Sequence, residues 1–208
     1  MFKTKIAALA FPALLLGSTA YATPPAADED HISFKMVVSK AASTCLPNAE
    51  AKVQIISDGK AEDMFLVASG LPPNTGFDFF VIQVPNAPFG LSWYQGDVQS
   101  DADGDAVQHF RGRFSIETFI VAQPPGGQPA PVVHDGNRLF PDAFENPATE
   151  PIHTHHLGLW FGSAADAMAA GCPGTTTRFD GDHDAGIQVL STRNFPDLQG
   201  PLQKVGLP

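Results

Sequence analysis

His31-Ile32-Ser33-Phe34-Lys35-Met36-Val37-Val38, followed by Ala51-Lys52-Val53-Gln54-Ile55, carries apolar side chains at every second position. Ile32, Phe34, Met36 and Val38 alternate with Ser33, Lys35 and Val37, and Val53 and Ile55 alternate with Lys52 and Gln54. A period near two puts one set of side chains on one face of a pleated chain, so both runs predict half-buried β-strands. Met64 to Ala68 predicts a third. It ends at Gly70-Leu71-Pro72-Pro73-Asn74-Thr75-Gly76, a forced turn that leads into the aromatic run Phe77 to Val84. Pro85-Asn86-Ala87-Pro88 breaks that run. Phe110, Phe114, Ile116, Phe119 and Val121 predict a long strand or a bent pair, with Asp103-Gly104 upstream as a hairpin turn. Strand character returns at Ile152 to Phe161 and at Gly186 to Arg193.

One helix is predicted between those last two runs. Ser163 caps it, Asp166 is the acidic residue at the third helical position, Ala164 to Ala170 favour helix, and Gly171 ends it. About seven to nine short strands separated by Gly/Pro turns, with one short helix, make an all-β chain. The expected architecture is an antiparallel β-sandwich with Greek-key or immunoglobulin-like connections, with a jelly roll or distorted barrel as the alternative.

Residues 1–22 read as a secretory signal peptide. Lys3 and Lys5 form the basic region, Ile6 to Leu16 the apolar one, and Ala20-Tyr21-Ala22 the small-x-small cleavage site. Residues 23–30 (TPPAADED) read as a disordered leader and 31–208 as one domain. The net charge is −10, and loss of Lys3 and Lys5 takes it to −12. Such a chain is a poor partner for nucleic acid or anionic lipid. No later run approaches the ~20 apolar residues of an integral membrane segment. The exported product is expected in the periplasm or the medium.

Cys45 and Cys172 are the two cysteines of the chain, and in an oxidising compartment the simplest pairing is with each other. No Cys-x-x-Cys points to exchange chemistry.

The richest candidate for metal chemistry is Ile152-His153-Thr154-His155-His156-Leu157. On a strand His153 and His155 share a face and could chelate copper or zinc, with His156 on the other face and His183, His109 or His134 as a third ligand. Asp101, Asp103 and Asp105, and likewise Asp180, Asp182 and Asp184, supply oxygens at the first, third and fifth positions of a calcium loop. Position six is Ala106 or Ala185 and position twelve Gly112 or Ser191, so neither loop is completed, and Asx-stabilised turns are the competing reading. Glu117 stands inside an apolar run with Arg111 and Arg113 as available partners. Trp93 and Tyr94 could stack on a sugar ring or anchor a protein partner.

Four segments carry a resemblance: Phe77 to Pro85, Phe89 to Asp97, His156 to Phe161 and Gly186 to Phe195. Together they resemble a group of small exported bacterial proteins with no assigned activity. The resemblance spans most of the mature chain, implies export and a single domain, and supplies no catalytic residue. Gly70-Leu71-Pro72-Pro73 and Asp101-Ala102-Asp103-Gly104-Asp105 also resemble copper/zinc superoxide dismutase. That enzyme's His-x-His is replaced here by Phe77-Asp78-Phe79, so no dismutase activity is expected. There is no Gly-x-Ser-x-Gly and no His-Glu-x-x-His. The expected function is that of a non-enzymatic exported module binding a protein or carbohydrate through its 85–100 and 123–151 loops. The alternatives are a Cu/Zn- or Ca-binding protein and an extracytoplasmic hydrolase.

Overall fold

A computed structural model describes residues 31–114, 118–119, 152–178, 183–197 and 199–205, with backbone alone for 118–119 and 152–153. The expected signal peptide (1–22), the expected 23–30 leader, the expected 123–151 loop, Glu117, His134, Asp180 and Asp182 lie outside the described residues. The strands are β1 (His31–Val38), β2 (Glu50–Ser57), β3 (Glu62–Ser69), β4 (Gly76–Ile82), β5 (Ser92–Gln99), β6 (Ala106–Gly112), β7 (Thr118–Phe119), β8 (Ile152–His153), β9 (His156–Phe161) and β10 (Gln188–Ser191). The helix α1 is Ala164–Ala169.

Eight strands form one sheet in the order β5-β4-β9-β10-β1-β2-β3-β6, and β7 pairs with β8 separately. Every neighbouring pair is antiparallel. The sheet is nearly closed on itself. Its two edges, β5 and β6, are adjacent in sequence and meet across a gap that side chains bridge. Gln108 Nε2 donates to the Asp97 carbonyl over 2.8 Å, and the Phe79 and Phe110 rings stack at 5.1 Å. Glycine suits position 96, where φ is 149° and a Cβ would stand 3.1 Å from the Phe110 ring, which would have to shift by a few tenths of an ångström. The expected Asp103-Gly104 hairpin is therefore a different object. The turn is tight, but the strands it joins are the two opposite edges of the sheet and not a hydrogen-bonded pair.

The alternation read in β1 to β3 is the packing alternation. Met36, Val53, Ile55, Met64 and Leu66 are fully buried, and they share one apolar cluster with Phe77, Phe79, Val98, Phe110, Leu157, Leu159 and Val189. All eight strands thus contribute to a single interior, the arrangement by which a curled sheet buries one face along its whole length.

Two expectations need correction. The 85–100 segment is not one irregular loop, since residues 92–99 form β5. The strand predicted from Ile152 to Phe161 is interrupted at Thr154 and His155, which fall between β8 and β9. The helix follows its sequence signals closely. Ser163 Oγ accepts from Asp166 N and donates to the Asp166 carboxylate, and Gly171 (φ 75°) closes the end in the left-handed region. Cys45, in the β1–β2 connection, is bonded to Cys172, which follows α1. Among the described residues no helix is long and apolar enough to cross a membrane.

Candidate functional site

Strand β4 reads Gly76-Phe77-Asp78-Phe79-Phe80-Val81-Ile82 and is buried on both faces from Phe77 onward. Phe77, Phe79 and Val81 point into the interior, which leaves Asp78, Phe80 and Ile82 on the outer face. That face is not left to water. Trp160 from β9 packs edge-on against Phe80 at 5.3 Å, and Phe89 packs edge-on against Trp160 at 4.9 Å. Phe80, Ile82, Trp160 and Ala185 make a second, smaller apolar cluster.

Polar groups border this cluster. Register places Asp78 opposite Asp97 on β5 and opposite Trp160 on β9, while Tyr94 stands opposite Phe80. His183 Nε2 lies 3.1 Å from Asp78 Oδ2, with the imidazole 44% exposed and the carboxylate 3%. The Tyr94 hydroxyl donates to Asp97 Oδ1. Burial pushes the Asp78 carboxyl above the usual carboxylate range, and His183 beside it pulls the other way. The Tyr94 phenol is raised by burial and by Asp97, whose carboxylate accepts its proton in a hydrogen bond and opposes its ionisation. Two hydrogen-bonded pairs, Asp78–His183 and Tyr94–Asp97, thus border the aromatic wall, and Asp97, Tyr94 and His183 reach solvent.

The structure distributes the residues singled out in the sequence. Trp93 is 51% exposed and Tyr94 38%, but neighbours on a strand face opposite ways, so they do not form one platform. Trp93 stands opposite Val81, on the interior side at the strand's end, and Tyr94 belongs to the outer cluster. His183 enters the cluster through Asp78 and not through the other histidines. His156 stands opposite Ile82, four residues along β4 from Asp78, or about 13 Å. The shared face expected for His153 and His155 relies on a continuous strand, and the chain leaves β8 at His153. The His153 side chain is outside the described residues, and His155 is buried with its carbonyl accepting from Leu202 N at 3.2 Å.

His156 is fully buried, and its bonds define its tautomer. The Pro196 carbonyl can only accept, so Nε2 carries the proton at 3.1 Å, and Nδ1 accepts from the Thr192 hydroxyl at 2.8 Å. Thr192 Oγ1 in turn accepts from Leu157 N. Desolvation lowers the His156 pKa to about 4.

The Asp101 carboxylate holds its own turn, Oδ1 accepting from Asp103 N and Asp105 N. Gly104 (φ 82°) completes it, and a Cβ there would lie 2.2 Å from the Leu71 carbonyl oxygen. Gly104→Ala is expected to cost more than about 1 kcal/mol, read as a lower urea midpoint at unchanged slope. Asp184 is exposed, and among the described residues no three His, Cys, Asp or Glu side chains gather as a metal-ion site. Arg111 is held by Asp58 and Asp63, and Arg113 Nε lies 3.9 Å from the buried Glu62.

Sequence reasoning missed Asp78. The signal was available: an acid between Phe77 and Phe79 in an otherwise apolar strand is a buried charge in need of a partner. No protein-family model matches the chain, and no curated protein is similar to it at a significant level.

Proposed function

We propose that the protein is an exported, non-enzymatic binding module whose ligand is a carbohydrate ring placed on the exposed outer side of β5, beside Tyr94 and Asp97. One observation carries the reading: a partly exposed aromatic ring tied to a solvent-facing carboxylate, with a second carboxylate and an imidazole next to it. The C–H face of a pyranose stacks on such a ring, and its hydroxyls donate to carboxylates. Export is supported by the basic, apolar and small-x-small regions of residues 1–22 and agrees with the Cys45–Cys172 bond. In this reading the nearly closed sheet is a flattened barrel, and the two layers of a sandwich are its opposite walls.

The test is titration calorimetry of the mature protein against a panel of mono- and oligosaccharides. A member of the panel is expected to bind, and Tyr94→Ala or Asp97→Asn to weaken it by about tenfold, or ~1.4 kcal/mol, with circular dichroism unchanged. No binding across the panel, or an affinity indifferent to both substitutions, would overturn the proposal. Release of shorter sugars on prolonged incubation would make the protein a hydrolase and overturn its non-enzymatic part.

A further inference from the structure

The sheet divides its charge by strand. Strands β1, β2, β3 and β6 set Lys35, Lys52 and Arg111 against Glu50, Glu62 and Asp63, whereas β4, β5, β9 and β10 contain no lysine or arginine and hold Asp78 and Asp97. Those two acids stand opposite each other in register. The connection after β5 adds Asp101, Asp103 and Asp105. Among the described residues the ion pairs of lysine and arginine all belong to the other half of the sheet and its turns. Arg178 follows Thr177, which bridges to Ala185 of the outer cluster, so it stands level with Asp184 and the two charges offset each other. Arg193 is turned toward β1 by its bond to the Val38 carbonyl. His183 faces Asp78, so the charge of Asp97 has no cationic partner among the described residues.

Asp97 is exposed, and its Oδ1 accepts from the Tyr94 hydroxyl, so the carboxylate stands at the para edge of a ring that is 38% exposed. The Tyr94 ring leans on Phe80 at 5.6 Å with 58° between the planes, which fixes its orientation. A pyranose lying on that ring reaches the carboxylate with a substituent carried directly on one of its own carbons. A hydroxyl there donates a neutral hydrogen bond. An ammonium donates a charge-assisted one, roughly twice as strong, and its charge is attracted to the π face beside it. A sugar carrying a carboxylate or sulfate is opposed by Asp97 and by the chain's net charge of −10.

We infer that the sugar recognised at Tyr94 and Asp97 is an amino sugar with a free, protonated amine, its ring on Tyr94 and its ammonium on the Asp97 carboxylate. The inference rests on the carbohydrate reading and adds the class of sugar.

Cellotriose and the equally linked trisaccharides of glucosamine and N-acetylglucosamine differ at C2 alone, which bears a hydroxyl, an ammonium and an acetamido group in turn. Each is titrated calorimetrically into the mature protein and its Asp97→Asn variant at about pH 6, where the amine is protonated. The glucosamine trisaccharide is expected to bind at least about tenfold more tightly than the other two. Asp97→Asn is expected to bring the three affinities within about threefold. So is ~1 M salt on the unsubstituted protein, which shortens the screening length to about 3 Å and holds as a test even if the variant misfolds. Spermidine carries the charge without a ring and is expected to bind at least about tenfold more weakly than the glucosamine trisaccharide. No preference for that trisaccharide, or one that survives either Asp97→Asn or salt, overturns the amino sugar and leaves the carbohydrate reading standing. Binding of other sugars in the panel but of none of these three does the same. Spermidine binding as tightly as the glucosamine trisaccharide also overturns the inference, since charge alone would then be recognised. No binding of any sugar overturns both.

Discussion

Replacing Cys45 and Cys172 together by alanine, or reducing their bond, is expected to destabilise the protein by up to about 5 kcal/mol and lower its melting temperature by roughly 10–20 °C. The magnitude follows from the sequence separation of 127 residues, which makes the bond a closure of most of the described chain. Without it the unfolded ensemble regains the entropy of that loop, while the folded sheet keeps every strand pairing. The local consequence is sharper than the global one. Helix α1 has six residues, too few to persist alone, and its one buried side chain is Ala167. Cys172 N donates to the Ala167 carbonyl at 2.8 Å, so the bond holds the C-terminal end of α1 directly to the β1–β2 connection. Amides of α1 and of residues 40–48 should therefore exchange with deuterium before the rest of the sheet once the bond is reduced. A reduced protein melting within about 2 °C of the oxidised one, with α1 still protected, would show that the bond contributes little. The same dependence is expected to make folding in a reducing cytoplasm inefficient, which supports the proposed export.

The strands legible from sequence are those with one wet face. In β2 and β3 the outward residues Lys52, Gln54, Asp63 and Phe65 alternate with Val53, Ile55, Met64 and Leu66, so the period of two survives in the letters. Strand β4 was legible as a strand from its aromatic run, but its outer face was not, because Phe80 and Ile82 are covered by Trp160 and Phe89 and the alternation disappears. Strand β5 was illegible for a related reason. It is an edge whose residues Ser92-Trp93-Tyr94-Gln95-Gly96-Asp97 mix solvent, cluster and gap contacts, and a register shift between Phe79 and Phe80 displaces Tyr94 from Gly96 by one position. Helix α1 and the disulfide were legible because capping and cysteine pairing are local or combinatorially trivial. The cluster joining Asp78 to His183 spans 105 residues and depends on register that no local pattern encodes. One rule would still have pointed to it. The reasoning that singles out Glu117 as an acid within an apolar run applies with equal force to Asp78, which the flanking phenylalanines mark as buried.

Acidification from pH 7 to pH 4 is expected to remove about 3 kcal/mol of stability through His156 alone. The imidazole is neutral and fully buried, with its pKa lowered from 6.5 to about 4 by desolvation, whereas in the unfolded chain it titrates near its ordinary value. The folded state therefore binds fewer protons between those two values, and stability falls as pH falls. The contribution is fully present above pH 6.5, declines through the interval, and is exhausted below about pH 4. The structural reason is that Nδ1 accepts the Thr192 hydroxyl hydrogen while Thr192 Oγ1 accepts from Leu157 N, so a proton on Nδ1 ends that bond and turns the hydrogen of the fully buried hydroxyl away from it, at the junction of β9 with the segment after β10. Asp78 acts with the opposite sign. Its raised pKa means that protonation in the acid range relieves a buried charge and favours the folded state, partly masking the loss in the whole protein. The measurement is accordingly a difference: urea denaturation at half-unit steps from pH 7.5 to 4 on the parent and on His156→Gln, which keeps a donor and an acceptor but does not titrate. The variant should be the less stable at pH 7, and its pH dependence flatter than the parent's by about 3 kcal/mol across the interval. Parallel curves for the two proteins would show that His156 is not the group through which acid loosens the sheet.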